Sequence, residues 1–459
     1  MRSTICRSSQ CICVFVILAA SCMMGCRDQS MNPPGVEKSV KQPAAAKPVK
    51  VVISGDTRGW LIPCGCTANQ SGGLLRRASY VKQLSQSSNV IVLDCGGAAD
   101  GTAPYQQARF KAILLGEKQM GLQAHNLGAS EVALGIDTLR LLEKESGVHF
   151  VSANIRSQDG QSSFATHKLI EQSGQRLLVT GVCSPSLLRE SDLAESGLVA
   201  SQPGDAILEV LKKVAGKFDR LIVLSWLPVD ELRELAEQLP EADAVVGGPT
   251  GQSLVPEVIG RVLLTSPANK GKFIASLTLP ASLHDAITAE IVELSPTFAD
   301  DESQKANLEI FRGMLRQRDF TAAESGFTSA SMAGLTTTAS VAGTDTCREC
   351  HTEACLSWET SRHSHAWEQL VEQKWEVDPY CQQCHTTGYG LPGGFASLSR
   401  SAALTNVGCE SCHGESAAHA ADSKQRTPVD AIGSCVRCHD HENSPHFEFD
   451  EYWEKIHHE

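Results

Sequence analysis

The sequence predicts an α/β domain followed by a smaller, mainly α domain rich in cysteine and histidine. Three observations carry this. Between residues 50 and 295, short Val/Ile/Leu-rich runs alternate with helical patterns. Nine of the 18 cysteines fall in the last quarter of the chain, eight of them in repeated pairs. Between the two regions, residues 296–343 turn small and polar. At 459 residues the chain is long enough for two or three domains. Its formal net charge of −13 repels phosphate backbones, so no nucleic-acid partner is expected.

The first segment reads as a targeting signal. Arg2 and Arg7 precede "CICVFVILAA", an apolar stretch of signal-peptide length that is too short to span a membrane. "ASC" and "MGC" follow, each with a small residue just before Cys22 or Cys26. Residues 1–26 therefore resemble a bacterial lipoprotein signal, with either cysteine as the lipid carrier. Neither has the preferred leucine three residues earlier, and plain secretion with cleavage near Ser21 is the alternative. Both readings export the chain to the periplasmic side of a bacterial membrane, where disulfides are permitted. The first adds the lipid bilayer as a partner. Residues 27–49, polar and Pro/Ala/Lys-rich, read as a tether.

Within 50–295 the runs "VKVVISG", "NVIVLDCGG", "VHFVSANI", "QRLLVTGV", "DRLIVLSW" and "ADAVVGG" read as strands, most of them ending in small or turn residues. "PVDELRELAEQL" reads as a helix, with Leu232, Leu235 and Leu239 at helical spacing. Near-continuous apolar strands imply a sheet buried on both faces. Functional groups in such sheets gather at the carboxyl ends of strands. Asp56, Asp94, Cys95, Asn154, Cys183 and Trp226 fall near such ends.

The ordered motifs "SGDTRGWLIPCGC", "VLDCGG", "NLGASEVALG", "VSANI", "VLSW" and "AVVGGPTG" resemble the 5′-nucleotidase-like branch of the calcineurin-type metallophosphatases. The resemblance implies a metallophosphatase-like sandwich and a two-metal site at defined positions. At those positions Asp56 is retained, but Arg58 stands for the first histidine and Gly97 for the second aspartate. Ala129 and Ser130 replace Asn-His and leave Glu131. Trp226 stands for the lone histidine, and Pro249 and Gly251 for the last two. A two-metal phosphoesterase clamps the attacking and leaving oxygens with both ions. One aspartate beside an arginine cannot hold them, so the expectation is a catalytically degenerate domain for binding or docking. Cys64, Cys66 and Cys95 leave three readings open: a disulfide from Cys95 to Cys64 or Cys66, a thiolate metal or redox site favoured by Arg58, or unpaired thiols.

Within 296–343, "ESQKANLEIFRGMLRQRDF" predicts one helix, with Leu308, Phe311 and Leu315 on one face. "TAAESGFTSASMAGLTTTASVAG" reads as a flexible linker.

Residues 344–459 carry four Cys-x-x-Cys-His motifs: Cys347/Cys350/His351, Cys381/Cys384/His385, Cys409/Cys412/His413 and Cys435/Cys438/His439. This is the c-type haem attachment pattern. Two thiols add to the haem vinyl groups, and the next residue places an imidazole on the iron. Zinc knuckles also use Cys-x-x-Cys, but they do not require a histidine after each second cysteine. Four covalently attached haem c groups are expected. All seven methionines lie at or before Met332, so the sixth ligands are histidines or an open position. His363, His365, His419, His441, His446, His457 and His458 are available.

The segments "CRECHTEACLSWETSRHSHAWEQL", "CQQCHTTGYG", "VGCESCHGESAAH" and "CVRCH…SPHFEFDEYWEKIHH" resemble the tetrahaem cytochrome c family of ammonia-oxidising bacteria. That resemblance implies a haem-packed multihaem domain with His363, His419 and His458 as distal iron ligands and His365 and His457 as adjacent competitors. It also implies one five-coordinate iron, at Cys381/Cys384/His385. Trp358, Trp367, Leu370, Trp375, Phe447, Phe449, Tyr452 and Trp453 are expected to pack around the cofactors. Two functions follow: an electron carrier serving periplasmic or membrane redox proteins, or an oxidoreductase acting on a small nitrogen compound at the open haem.

Overall fold

The computed structural model describes residues 47–63, 70–327, 340–427 and 430–458. The signal segment, most of the tether, Cys64 and Cys66 lie outside these residues. The chain opens with four parallel strands: β1 (Val49–Ser54), β2 (Asn89–Asp94), β3 (Leu122–Asn126) and β4 (Phe150–Val151). After β5 (Ile155–Ser157) it crosses to a second sheet with β6 (His167–Gln172) and β7 (Gln175–Cys183), then pairs β8 (Leu198–Ala200) with β5. The second sheet is completed by β9 (Arg220–Trp226), β10 (Ala244–Gly248), β11 (Leu254–Ile259) and β12 (Val262–Ser266). The chain then returns through β13 (Phe273–Leu279), antiparallel to β1, and β14 (Thr288–Glu293). The sheet orders are β14-β13-β1-β2-β3-β4 and β11-β12-β10-β9-β7-β6.

Alternation along each strand assigns its faces. Val51 and Ile53 of β1 join Val179, Ile222, Leu224 and Val246 in the core between the sheets. Val52, one residue out of phase, packs with the helices Leu74–Ser87 and Pro104–Gln119. The far face of the second sheet is covered by Pro203–Lys213 and Val229–Gln238 through Ile207, Val210, Leu232 and Leu235. Both sheets are thus buried on both faces, which explains the continuous apolar runs. The one sheet read from strand patterning is two, stacked as the sandwich that the metallophosphatase resemblance implies.

Residues Glu302–Arg318 form the expected helix. Asp301 caps it, accepting from the Ser303 and Gln304 N–H groups at 2.9 and 3.3 Å. Leu308, Phe311 and Leu315 bury its apolar face in the core of the α/β domain. The stretch read as a flexible linker is corrected at its start. Ala322–Ser325 is helical, and Phe320 and Phe327 stand edge-on to Tyr105 at 5.9 and 5.7 Å. Two aromatic side chains among small residues supply enough apolar area to anchor it. Residues 328–339 lie outside the described residues.

The final domain is built of short helices and irregular backbone, including Thr352–Glu359, Ala366–Gln373, Pro379–His385 and Phe449–Trp453. Leu370 and Trp375 bury in the α/β core cluster with Val377. Arg312 lies over the Trp375 ring at 4.1 Å and holds that packing from the α/β side. Residues Ala46–Glu459 accordingly form one compact unit. No helix among the described residues is long and apolar enough to cross a membrane.

Candidate functional site

Two sets of chemistry-bearing residues are brought together. The first surrounds Asp56, just beyond β1. Asp56 is buried in the left-handed region, with φ 52°. Its Oδ1 accepts from Arg58 Nε at 2.6 Å and its Oδ2 from the Asn269 N–H at 3.0 Å, so both oxygens are engaged by the protein. The Trp226 indole occupies the space beside Gly97, where an added Cβ would lie 2.0 Å from the ring. An aspartate does not fit there. Glu131 is aimed at backbone and accepts from the N–H groups of Gly97, Ala98, Ala99 and Gly128 at 2.6–3.0 Å. Burial pushes the Glu131 carboxyl upward, but the His125 imidazole and these N–H groups more than reverse it. The donor set does not fit a two-metal centre.

Cys95 settles into the core between the sheets, and its thiol donates to the Val246 carbonyl at 3.0 Å. Of the readings left open for it, the unpaired thiol is the one observed. Burial, with the Asp94 charge, pushes this thiol well above its ordinary value, so Arg58 does not make it a thiolate.

Behind Asp56 lies a buried charged network that sequence reasoning missed. Arg77 donates to Glu117 at 3.1 Å and to Thr57 at 2.8 Å. His125 Nδ1 meets Glu117 at 3.1 Å, and Asp94 accepts from the Ser54 hydroxyl at 2.6 Å and the Gly96 N–H at 2.7 Å. Asp94, Glu117 and His125 stand at metal-ligand distances from one another, but Arg77, 3.1 Å from Glu117 and 4.0 Å from Asp94, places a fixed cation against them that repels a metal ion. Burial and the Glu117 charge push Asp94 up to about 7. Burial opposes a charge on His125, yet Asp94 and Glu117 hold it protonated well above its ordinary value. The available signal was Arg77 itself, a charged residue on the apolar face of its helix beside Leu74, Ala78 and Val81.

The second set is the four Cys-x-x-Cys-His motifs. Each is one helical turn, so both thiols and the imidazole share a face. The N–H groups of His351, His413 and His439 donate to the carbonyls of Cys347, Cys409 and Cys435 at 2.9–3.0 Å, and Cys381–His385 lies within the helix Pro379–His385. The turns adjoin in a definite order. The Cys347 thiol meets that of Cys409, Cys412 lies beside Cys435, and Cys438 meets Cys384. The spatial sequence is first, third, fourth, second.

Seven of the eight motif cysteines are half-buried, as enclosed attachment points should be, and Cys350 is the exception. Cys350 is exposed. The physical reason is its place at the rim of the domain. It follows the short helix Thr344–Arg348, and its neighbours Glu349, His351, Thr352 and Glu353 are exposed as well. Cys347, one turn earlier, faces the third motif and keeps its partial cover.

Three of the motif histidines face a second imidazole. His351 pairs with His419, His439 with His363 and His413 with His458, at centroid separations of 6.1, 6.2 and 6.0 Å. A divalent metal–imidazole bond is about 2.0–2.1 Å, so two rings on opposite sides of one ion have centroids roughly 6 Å apart. His419, His439 and His458 each engage Nδ1 with an oxygen, at 2.6, 3.1 and 3.0 Å, which directs Nε2 away from that contact. His385 does the same against the Ala366 carbonyl at 2.7 Å, but no described imidazole pairs with it. The competitors are engaged elsewhere: His365 with Glu368, and His457 stacked on Trp453. A cavity of about 490 Å³ is lined by Cys347, His351, Cys409, His413, His419 and His458. Phe447 stacks on His439 at 4.8 Å and Tyr452 meets it edge-on. Adjoining thiols, facing imidazoles and a cavity between them fit covalently held haem.

Residues 346–414 match the family described as cytochrome c554 and c-prime. The chain is similar to cytochrome c-554 of Nitrosomonas europaea, 36% identical over 103 residues, covering 19% of this chain and 44% of that protein. It thus spans less than half the length of this curated relative. The likeness implies covalently bound haem c in this domain. The α/β domain has the fold of the metallophosphatases. The 5′-nucleotidase precursor of Thermus thermophilus superposes with a TM-score of 0.52 at 21% identity, over 59% of each chain. The calcineurin-like phosphoesterase YfkN of Bacillus subtilis gives 0.52 at 16%, over 58% of this chain and 97% of that one.

Proposed function

We propose, from a c-type cytochrome domain joined to a metallophosphatase-like sandwich, that the chain is an exported tetrahaem electron carrier. It exchanges electrons with periplasmic or membrane redox proteins and is lipid-anchored through Cys22 or Cys26. The observation that carries the reading is the three imidazole pairs, each joining one attachment histidine to one histidine outside the motifs. The cofactor supplies reversible one-electron chemistry when bound. The protein's part is to fix ligation and spacing. The facing histidines would hold three of the irons, and the adjoining turns would set the cofactors in the order first, third, fourth, second. Without methionine in the domain, histidines would supply the second ligand wherever an iron takes one from the protein. The sandwich, with Asp56 tied to Arg58, serves binding or docking and not hydrolysis.

Chain matured in a host competent in haem attachment is expected to carry four covalent haems by intact mass. Replacing both thiols of one motif by alanine removes one haem. Bound zinc, or fewer than four haems after full maturation, would sink the reading. No turnover of AMP or a phosphate ester is expected with added Mn²⁺ or Zn²⁺. Turnover that Asp56→Ala abolishes would contradict the docking role.

A second reading is favoured by His385, which lacks a facing imidazole among the described residues. It makes the chain an oxidoreductase acting on a small nitrogen compound at that site. Redox titration followed by low-temperature EPR separates the two. A high-spin haem that binds and turns over such a ligand favours the enzyme; four low-spin, unreactive haems favour the carrier.

A further inference from the structure

The face of the sandwich that carries the lost metal positions meets the helical domain. Trp60, four residues after Asp56, stands edge-on to Tyr380 with ring centroids 5.1 Å apart. Lys270, next to the Asn269 that holds Asp56, lies over Trp60 at 5.7 Å and pairs with Glu442. Arg109, tied to Asp100 at 2.9 Å, lies 5.2 Å from the Tyr380 ring. The Tyr105 hydroxyl donates to Asp378. Asp378 is the N-cap of the helix Pro379–His385 and accepts the Tyr380 N–H at 2.9 Å. Both the cap and the first turn of the helix that carries Cys381, Cys384 and His385 are therefore held from the sandwich. Cys381 itself packs against the sandwich's core cluster.

We propose that this face is a seat for the second haem attachment helix. Trp60, Tyr105 and Arg109 are its positioning residues, and they set the reduction potential of the haem bound at Cys381, Cys384 and His385. The inference rests on the tetrahaem reading above. A haem's potential follows its exposure and the charges around it. An iron with one histidine has the most open coordination sphere and responds most to water at its edge. The ferric form carries the extra positive charge, which water stabilises and a dry aromatic surround does not. A loop that once lay beside metal ligands thus becomes an aromatic and cationic wall against one end of the haem series.

The test is a spectroelectrochemical titration of the full, haem-loaded chain with EPR at each potential, comparing the natural protein with Trp60→Ala. Admitting water should lower the potential of the haem without a second histidine by tenfold in its reduction equilibrium, about 59 mV for one electron. The three low-spin haems should stay within a twofold change. An unchanged potential at that haem, with all four haems attached, overturns the proposal. If Trp60→Ala fails to retain haem, Tyr105→Phe takes its place, with a threefold change expected and no change overturning. Hydrogen–deuterium exchange over residues 380–385 of the full chain gives an independent reading. Tenfold faster exchange in either variant supports the seat, and unaltered exchange overturns it. A natural protein with fewer than four haems or no high-spin signal sinks the tetrahaem reading instead, and the exchange measurement alone then decides the seat.

Discussion

Replacing His363, His419 or His458 by alanine is expected to turn one low-spin haem high-spin in each case. His363 faces His439, His419 faces His351 and His458 faces His413, all at the separation that one iron between two imidazoles requires. Alanine offers no ligand, and the domain has no methionine to replace the lost nitrogen. Each variant should gain one high-spin EPR signal beyond the one expected from the His385 site of the natural protein. Cyanide or nitric oxide should bind the opened iron. His365→Ala and His457→Ala should leave the spectrum unchanged, because Glu368 and Trp453 engage those rings. Three unaltered spectra from the first set would show that these pairs do not ligate iron, and His441 and His446 would become the next candidates.

Arg77→Ala is expected to destabilise the α/β domain by about 3–5 kcal/mol, the range for breaking a buried ion pair by removing one partner. Arg77, Asp94, Glu117 and His125 are all buried, and Arg77 is the permanent cation among them. Without it, the carboxylates depend on a protonated His125. The pH dependence then has a definite sign. His125 is raised in the folded state, so its contribution is fully present below its unfolded value and is lost as pH rises through the folded value. Asp94, raised to about 7, likewise favours the folded state while protonated and loses that contribution as pH rises toward 7. Glu117 is lowered, because the His125 charge outweighs its burial, and it weakens the fold only in acid. The variant should therefore be less stable at pH 8 than at pH 6. Urea unfolding of the full chain followed by far-UV circular dichroism measures both effects. Equal stability of the two proteins would show that the network carries no net energy.

What could be read along the chain was what local geometry decides. A Cys-x-x-Cys-His stretch closes one helical turn within five residues, so its chemistry needs no distant partner. How far each thiol is covered does need one, which is why Cys350 stands exposed at the rim while the other seven are half-buried. The helix around Leu308, Phe311 and Leu315 was legible because its stripe is a property of helical spacing. The losses at Arg58, Gly97 and Trp226 were legible as substitutions at known places. The linker reading failed at its start because composition was averaged over a segment in which one ring, Phe327, packs with Phe320 against Tyr105. That Leu370 and Trp375 also join the α/β core was not legible for a related reason: apolar character says that a side chain is buried, not against what. The Arg77 network was missed because its charges lie on separate helices and strands and cancel only after folding.

The sequence by itself determined the two domain types, the four attachment turns and the loss of the metal-ligand set. Each follows from residue identity at short, fixed spacing. Only the tertiary structure decided which imidazole faces which, that the attachment turns run first, third, fourth, second, and that the second turn is clasped by Trp60, Tyr105 and Arg109. These depend on contacts between residues far apart in the chain, such as His363 with His439 and Tyr105 with Asp378, and the packing of whole elements sets those separations.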